Sequence, residues 1–193
     1  MKQLLEQQLR TFGEEVAKDL DITIPTIEYV DEAVFHAFTM FRYRHNVMFI
    51  ESIEPAFKIQ ICLPNIEEAC NEFDVEYREP FIKRLIAHEL RHVWQSIYKQ
   101  EVLIEQLSLP LGAAIYGHGN MPAEKDANQY AMMWAETEYE KLVFELATLL
   151  QQLVAINQDQ WDVLKALRLA KKIRKYNKKS LVSKLIKFVR RDA

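Results

Sequence analysis

Along residues 2–18 the apolar side chains Leu4, Leu5, Leu9, Phe12 and Val16 recur at helical spacing, which predicts an amphipathic helix with those side chains turned inward. The period shortens over residues 22–63. Ile22–Val30 is β-branched and alternating, with Pro25 marking an edge or a break. Ala37–Arg44 and Asn46–Ser52 predict a hairpin that turns over Arg44–Asn46. In Phe57–Leu63, Phe57, Ile59, Ile61 and Leu63 alternate with Lys58, Gln60 and Cys62, and Pro64-Asn65 is a stop signal. A short helix is expected over 66–73 and a longer one over 79–99, where Pro80 suits a first turn and no Gly or Pro interrupts 81–98. In that helix Ile82, Ile86, Leu90, Val93 and Ile97 make one apolar line. Phe81, Leu85, His88 and His92 make a second, about 130° round the axis at 100° per residue. A helix covered on two sides belongs at the centre of a fold. Residues 101–121 read as a loop with a short helix, and Pro122 opens a helix-prone run over 123–155.

These elements predict an α+β fold: a helix-dominated single domain with a small, mostly antiparallel sheet, a central helix at 79–99 and C-terminal helices. The chain has 193 residues with 49% hydrophobic positions and only 4 Gly, enough for one well-formed core. No secretory segment or membrane-length apolar run is evident. Cys62 and Cys70 are the only cysteines, so reduced thiols and a cytoplasmic location are expected. Charge divides the chain. Residues 1–164 carry 13 Lys+Arg against 27 Asp+Glu, a net of −14, and residues 165–193 carry 12 Lys+Arg against Asp192 alone, a net of +11. We therefore divide the chain into a body, 1–160, and a basic amphipathic helical tail, 161–193, with Leu181, Val182, Leu185, Ile186, Phe188 and Val189 on the tail's apolar side. The tail either docks on the acidic body or contacts nucleic acid, an anionic membrane or a protein partner. Nothing in the sequence fixes the oligomeric state.

The candidate chemistry lies on the central helix, in His88-Glu89-Leu90-Arg91-His92. Residues four apart stack on one helix face, so His88 and His92 can share one metal ion. Zinc accepts neutral imidazole and keeps an open position in catalytic sites. Glu89 points beside that position, where its carboxylate can take a proton from a water. Downstream, Met121-Pro122-Ala123-Glu124 places an acidic residue in the first turn of a helix, favoured by the helix dipole. Glu124 is the expected third ligand, and Asp126, about 200° round the helix from it, is the alternative. Asn128, one turn after Glu124, is placed to hydrogen-bond a ligand from behind.

This arrangement resembles the gluzincin pattern, in which H-E-x-x-H is completed by a Glu on a later helix. The run Glu124, Asp126, Ala127, Asn128, Tyr130 and Ala131 is similar to E-x-[DE]-A-[ND]-x-[FY]-A of the ImmA/IrrE family of small metallopeptidases, and minigluzincins share the layout. The resemblance covers two short helices. It implies a zinc metalloendopeptidase acting on a polypeptide substrate, with His88, His92 and Glu124 as ligands, Glu89 as general base and Asn128 behind a ligand. Arg91 stands where that family usually has Gly; a long cation there narrows the cleft or binds a carboxylate. Peptide hydrolysis needs a donor for the oxyanion, and His118, Tyr116 and Arg91 are the candidates. By analogy with gluzincins, Phe57–Leu63 would be the edge strand that pairs with substrate. His36 and His45 read as structural. The alternative from a different class is a nonenzymatic helical adaptor, working through its basic tail, with a structural or accidental metal site.

Overall fold

A computed structural model of the chain describes residues 2–33, 36–45, 50–72, 78–108, 121–138, 140–142 and 144–145. Helix α1 spans Lys2–Leu20. Five strands follow, β1 Thr26–Val30, β2 Ala37–Met40, β3 Tyr43–His45, β4 Ile50–Ile53 and β5 Lys58–Cys62. Then come α2 Leu63–Glu72, α3 Arg78–Tyr98, α4 Gln100–Leu107 and α5 Pro122–Met133. The architecture is α+β and helix-dominated with a small, mostly antiparallel sheet.

Helix α1 buries Leu5, Leu9, Phe12 and Val16 as its spacing requires. Leu4 departs from expectation and is 61% exposed, because the i, i+4, i+7, i+11 stripe runs through Leu5 and leaves Leu4 one residue, about 100°, off the face. The helix ends two residues later than its apolar pattern. Ile22 N–H donates to Ala17 O and Asp21 N–H to Lys18 O, with Asp21 left-handed at φ 52°. This is the bond pattern of a Schellman stop, with Asp in the position usually held by Gly.

The main sheet has the order β1-β5-β2, with β1 parallel to β5 and β2 antiparallel to it. Strand β1 starts directly after Pro25 and lies on an outer position, where a missing N–H is tolerated. The expected Ala37–Arg44 strand divides. Its first half, β2, pairs with β5, while β3 pairs with β4 in a separate two-stranded sheet. Strand β5 is flanked on both sides, so Phe57–Leu63 is not an edge strand and cannot pair with an extended substrate. Pro64 does more than stop this strand. It lies in the first turn of α2, which begins at Leu63 rather than near 66.

Helix α3 is the centre of the molecule, as its two apolar lines imply. It packs on α1, α5, α4 and β2. Ile82, Ile86, Leu90 and Val93 are buried on one line, and Phe81, Leu85 and His92 on the other. Only Ile97, in the last turn beyond the core, is exposed, at 38%. The core beneath α3 joins Leu9 and Val16 of α1 to Ile59 and Ile61 of β5. Truncating such fully buried Leu or Ile side chains to Ala costs about 2–5 kcal/mol. Helix α5 stops at Met133, not near 155. Thr137 and Glu140 then form a reciprocal capping box, with Glu140 N–H on Thr137 Oγ1 and Thr137 N–H on Glu140 Oε2, and it starts a new helical segment. The basic tail at 161–193 lies outside the described residues.

Candidate metal centre

Helix α3 presents His88 and His92 one turn apart, and α5 brings Glu124 to them. Pro122 sits at the start of α5, Met121 is its extended N-cap, and Glu124 falls in the first turn. Glu124 Oε2 lies 3.2 Å from His88 Nε2, and Oε1 lies 3.3 Å from His92 Nε2. The two Nε2 atoms are 3.1 Å apart. Among the described residues, His88, His92 and Glu124 form the one group of three or more His, Cys, Asp or Glu side chains placed to hold a metal ion. The three side chains are 13, 9 and 7% exposed, so the site is nearly dry, with His88 its most accessible member.

The tautomers follow from the surrounding amides. Asn128 Oδ1 accepts from Arg84 Nη2 at 3.2 Å, which fixes the orientation of the amide because Arg only donates. His88 Nδ1, 3.1 Å from the same oxygen, must therefore carry the hydrogen. Gln95 Nε2 donates to Ala123 O at 2.9 Å and Asp126 Oδ2 at 2.8 Å, so Gln95 Oε1 faces His92. His92 Nδ1, 2.8 Å away, is again the donor. Both Nε2 atoms are then left as lone pairs pointing at each other and at a carboxylate. Three mutually facing acceptors require a positive charge between them. Donor atoms about 2.0–2.2 Å from one centre at tetrahedral angles stand about 3.3–3.6 Å apart, slightly wider than the spacings found. The residues thus fit a metal ion.

Without a metal, a proton takes that place. Burial disfavours the charged form of His92, but Glu124 beside it, with help from Glu89 and Gln95, outweighs burial and raises its pKa to about 9. Burial likewise opposes ionisation of Glu124, and the two imidazoles hold its carboxyl well below the usual range.

Glu89 is buried and near enough for its charge to act on His92. Thr39 Oγ1, reaching across from β2, donates to Glu89 Oε2 at 2.7 Å and lies 3.1 Å from Glu89 O. Asp126 lies outside the His88, His92 and Glu124 group. Arg91 Nε and Nη2 grip its two oxygens at 2.7 and 3.0 Å, and Gln95 takes one as well. Arg91 thus binds a carboxylate. Its guanidinium carbon lies over the rings of Trp94, at 3.7 Å, and Tyr130, at 5.1 Å from the ring centres. A fork held in this way is an α3–α5 strut. Tyr116 and His118 lie outside the described residues. His36 packs edge-on against Phe81, and burial with nearby Arg84 pushes its pKa down, consistent with a neutral structural role.

Three contributors escape the motif. Arg84 and Gln95 extend the His88–His92 line one turn back and one turn forward, so 84, 88, 92 and 95 form one polar stripe at i, i+4, i+8 and i+11 that helical periodicity could have revealed. Arg84 is 2% exposed. Burial lowers its pKa to about 10, with Glu89 and Glu124 opposing the shift, so it remains a cation at neutral pH. Thr39 had no local signal, since it lies 50 residues from Glu89 and only the docking of β2 on α3 brings it there. No family model, no curated protein and no solved structure matches the chain.

Proposed function

We propose that the protein is a zinc-dependent metalloendopeptidase that hydrolyses peptide bonds in a specific intracellular polypeptide. The observation that carries this reading is the convergence of two Nε2 lone pairs and the Glu124 carboxylate, with a second carboxylate, Glu89, bonded by Thr39 and near enough for its charge to act on His92. Two imidazoles and a carboxylate suit zinc. Bound there, the ion would supply Lewis acidity, polarising the scissile carbonyl and acidifying a water. His88, His92 and Glu124 would hold it. The Asn128 and Gln95 amides keep both imidazoles in the ligating tautomer. Glu89 would take a proton from the attacking water and pass it to the leaving amine. Thr39 keeps one oxygen of that carboxylate occupied and leaves the other for the transfer. The oxyanion donor falls to Tyr116 or His118, since Arg91 is spent on Asp126.

A nonenzymatic protein with a structural metal is the competing class. Structural zinc sites close with four protein ligands and need no adjacent base; here three ligands converge among the described residues, and Glu89 stands beside them. The resemblance of the motif to gluzincins supports the same choice.

The test has two steps. Elemental analysis of protein purified without chelators should find one zinc per chain, lost in His88→Ala. Glu89→Gln should retain zinc and fold while losing cleavage of a diverse peptide library read by mass spectrometry, a substrate set broad enough for a narrow specificity. A Glu89→Gln protein as active as wild type would remove the mechanism, and wild-type protein without metal would remove the site.

A further inference from the structure

Gln106 lies in the last turn of α4, away from the H-E-x-x-H helix. Its Nε2 donates to Glu124 Oε1 over 3.1 Å. Its own Oε1 is buried without a hydrogen-bond partner among the described residues. Helix α4 is fixed on β4, α3 and α5, with Leu103 buried against Ile53 and Ala123, so the amide is delivered from a held element. A buried carbonyl without a donor opposes folding, and Met or Leu would fill similar space without that cost. Packing therefore does not account for Gln here, whereas the bond to Glu124 does. Glu124 offers one oxygen to each imidazole, and a carboxylate so placed can ligate through one oxygen or through both. A donor on Oε1 uses a lone pair of that oxygen and favours ligation through Oε2.

We propose that Gln106 is a positioning residue of the metal site, its amide N–H orienting Glu124 so that the carboxylate ligates through a single oxygen. The proposal rests on the metal-site reading above. It assigns α4 a part in the centre: that helix sets the orientation of a ligand carried by α5. Because the amide donates and bears no charge, it orients the carboxylate without removing its negative charge from the metal.

The full-length chain, as wild type, Gln106→Met and Gln106→Leu, serves as the test. Zinc affinity is read by competition with a chromophoric chelator, coordination by the visible absorption of the cobalt(II)-substituted protein, and folding by thermal melts after chelator treatment. Both variants should bind zinc roughly 10- to 100-fold more weakly. Their cobalt absorption should weaken as the released carboxylate swings to two-oxygen ligation and raises the coordination number. Their metal-free melting temperatures should stay near wild type, since removing the unsatisfied carbonyl offsets the lost bond to Glu124. Zinc affinity within twofold of wild type and an unchanged cobalt spectrum would overturn the assignment. Variants already unfolded at the assay temperature without metal would overturn it too, because the lost affinity would then be an effect of packing. Wild-type protein that takes up neither zinc nor cobalt would instead overturn the metal site itself, a result distinguishable from both.

Discussion

His92 carries the pH response of the site. Its pKa near 9 in the metal-free protein means that a metal must displace a proton at any pH below that value. Zinc affinity should therefore fall by about tenfold per pH unit from pH 9 downward, roughly a hundredfold between pH 8 and pH 6. Chelator competition across that range measures it, and a flat profile would exclude a protonated His92–Glu124 pair. The metal-free fold responds in the opposite sense. The folded pKa of His92 stands above its ordinary 6.5, so its stabilisation is fully present below pH 6.5 and is lost as pH rises through 9. The Glu124 carboxyl is depressed from 4.5, so its contribution is present above pH 4.5 and is lost as pH falls through the lower, folded value. Melts of chelator-treated protein should therefore decline between pH 6.5 and 9, and zinc should abolish that decline.

At the scale of elements, α1 carries two backbone costs that substitution should relieve. Gly13 sits mid-helix on the buried side, where an added Cβ would meet Ile86 Cγ1 at 3.6 Å and Ile24 Cδ1 at 3.8 Å, ordinary contact distances. Gly13→Ala should stabilise the fold by about 0.5–1 kcal/mol through lower chain entropy in the unfolded state. Asp21 holds the left-handed stop at φ 52°, a conformation that Gly adopts without steric penalty, so Asp21→Gly should add a similar amount. Urea denaturation reads both, and a loss of stability in Gly13→Ala would show that α1 and α3 have no room at their crossing. The α3–α5 contact depends on different chemistry. Arg91 joins the helices by a two-pronged bond to Asp126 and by stacking on Trp94 and Tyr130. Lys cannot reproduce that planar fork, so Arg91→Lys should loosen Glu124's helix and weaken zinc binding, while Arg91→Lys with unaltered affinity would confine the strut to stability.

At the scale of the whole molecule, the division of charge governs the tail. The net −14 of residues 1–164 and net +11 of residues 165–193 predict that the tail either docks on its own body or meets an external anion. If it docks, deleting residues 178–193 should lower the melting temperature, corresponding to a few kcal/mol, since each buried Leu, Ile, Val or Phe side chain is worth about 1.5–3 kcal/mol before entropy. Identical melts of full and shortened chains would sink docking and favour a partner, whose binding would weaken steeply with salt if it presents phosphates. Among the described residues no helix is long and apolar enough to cross a membrane.

The sequence by itself determined the features that depend on spacing within a helix. His88 and His92 share a face because 3.6 residues make a turn, Glu124 opens its helix because Pro122 precedes it, and Asn128 follows one turn later. Two apolar lines likewise placed α3 at the centre. Pairing between distant segments was not legible in this way. Alternation marks Phe57–Leu63 as a strand but says nothing of its neighbours, and only the parallel bond to β1 and the antiparallel bond to β2 make it central. That Glu124 joins the two imidazoles while Asp126 pairs with Arg91 of the neighbouring helix was a matter of tertiary packing. Thr39 on Glu89 and Gln106 on Glu124 join segments 50 and 18 residues apart. Local chemistry therefore specified which groups exist and which share a helix face, and the packing of α3 against β2, α4 and α5 decided which of them touch.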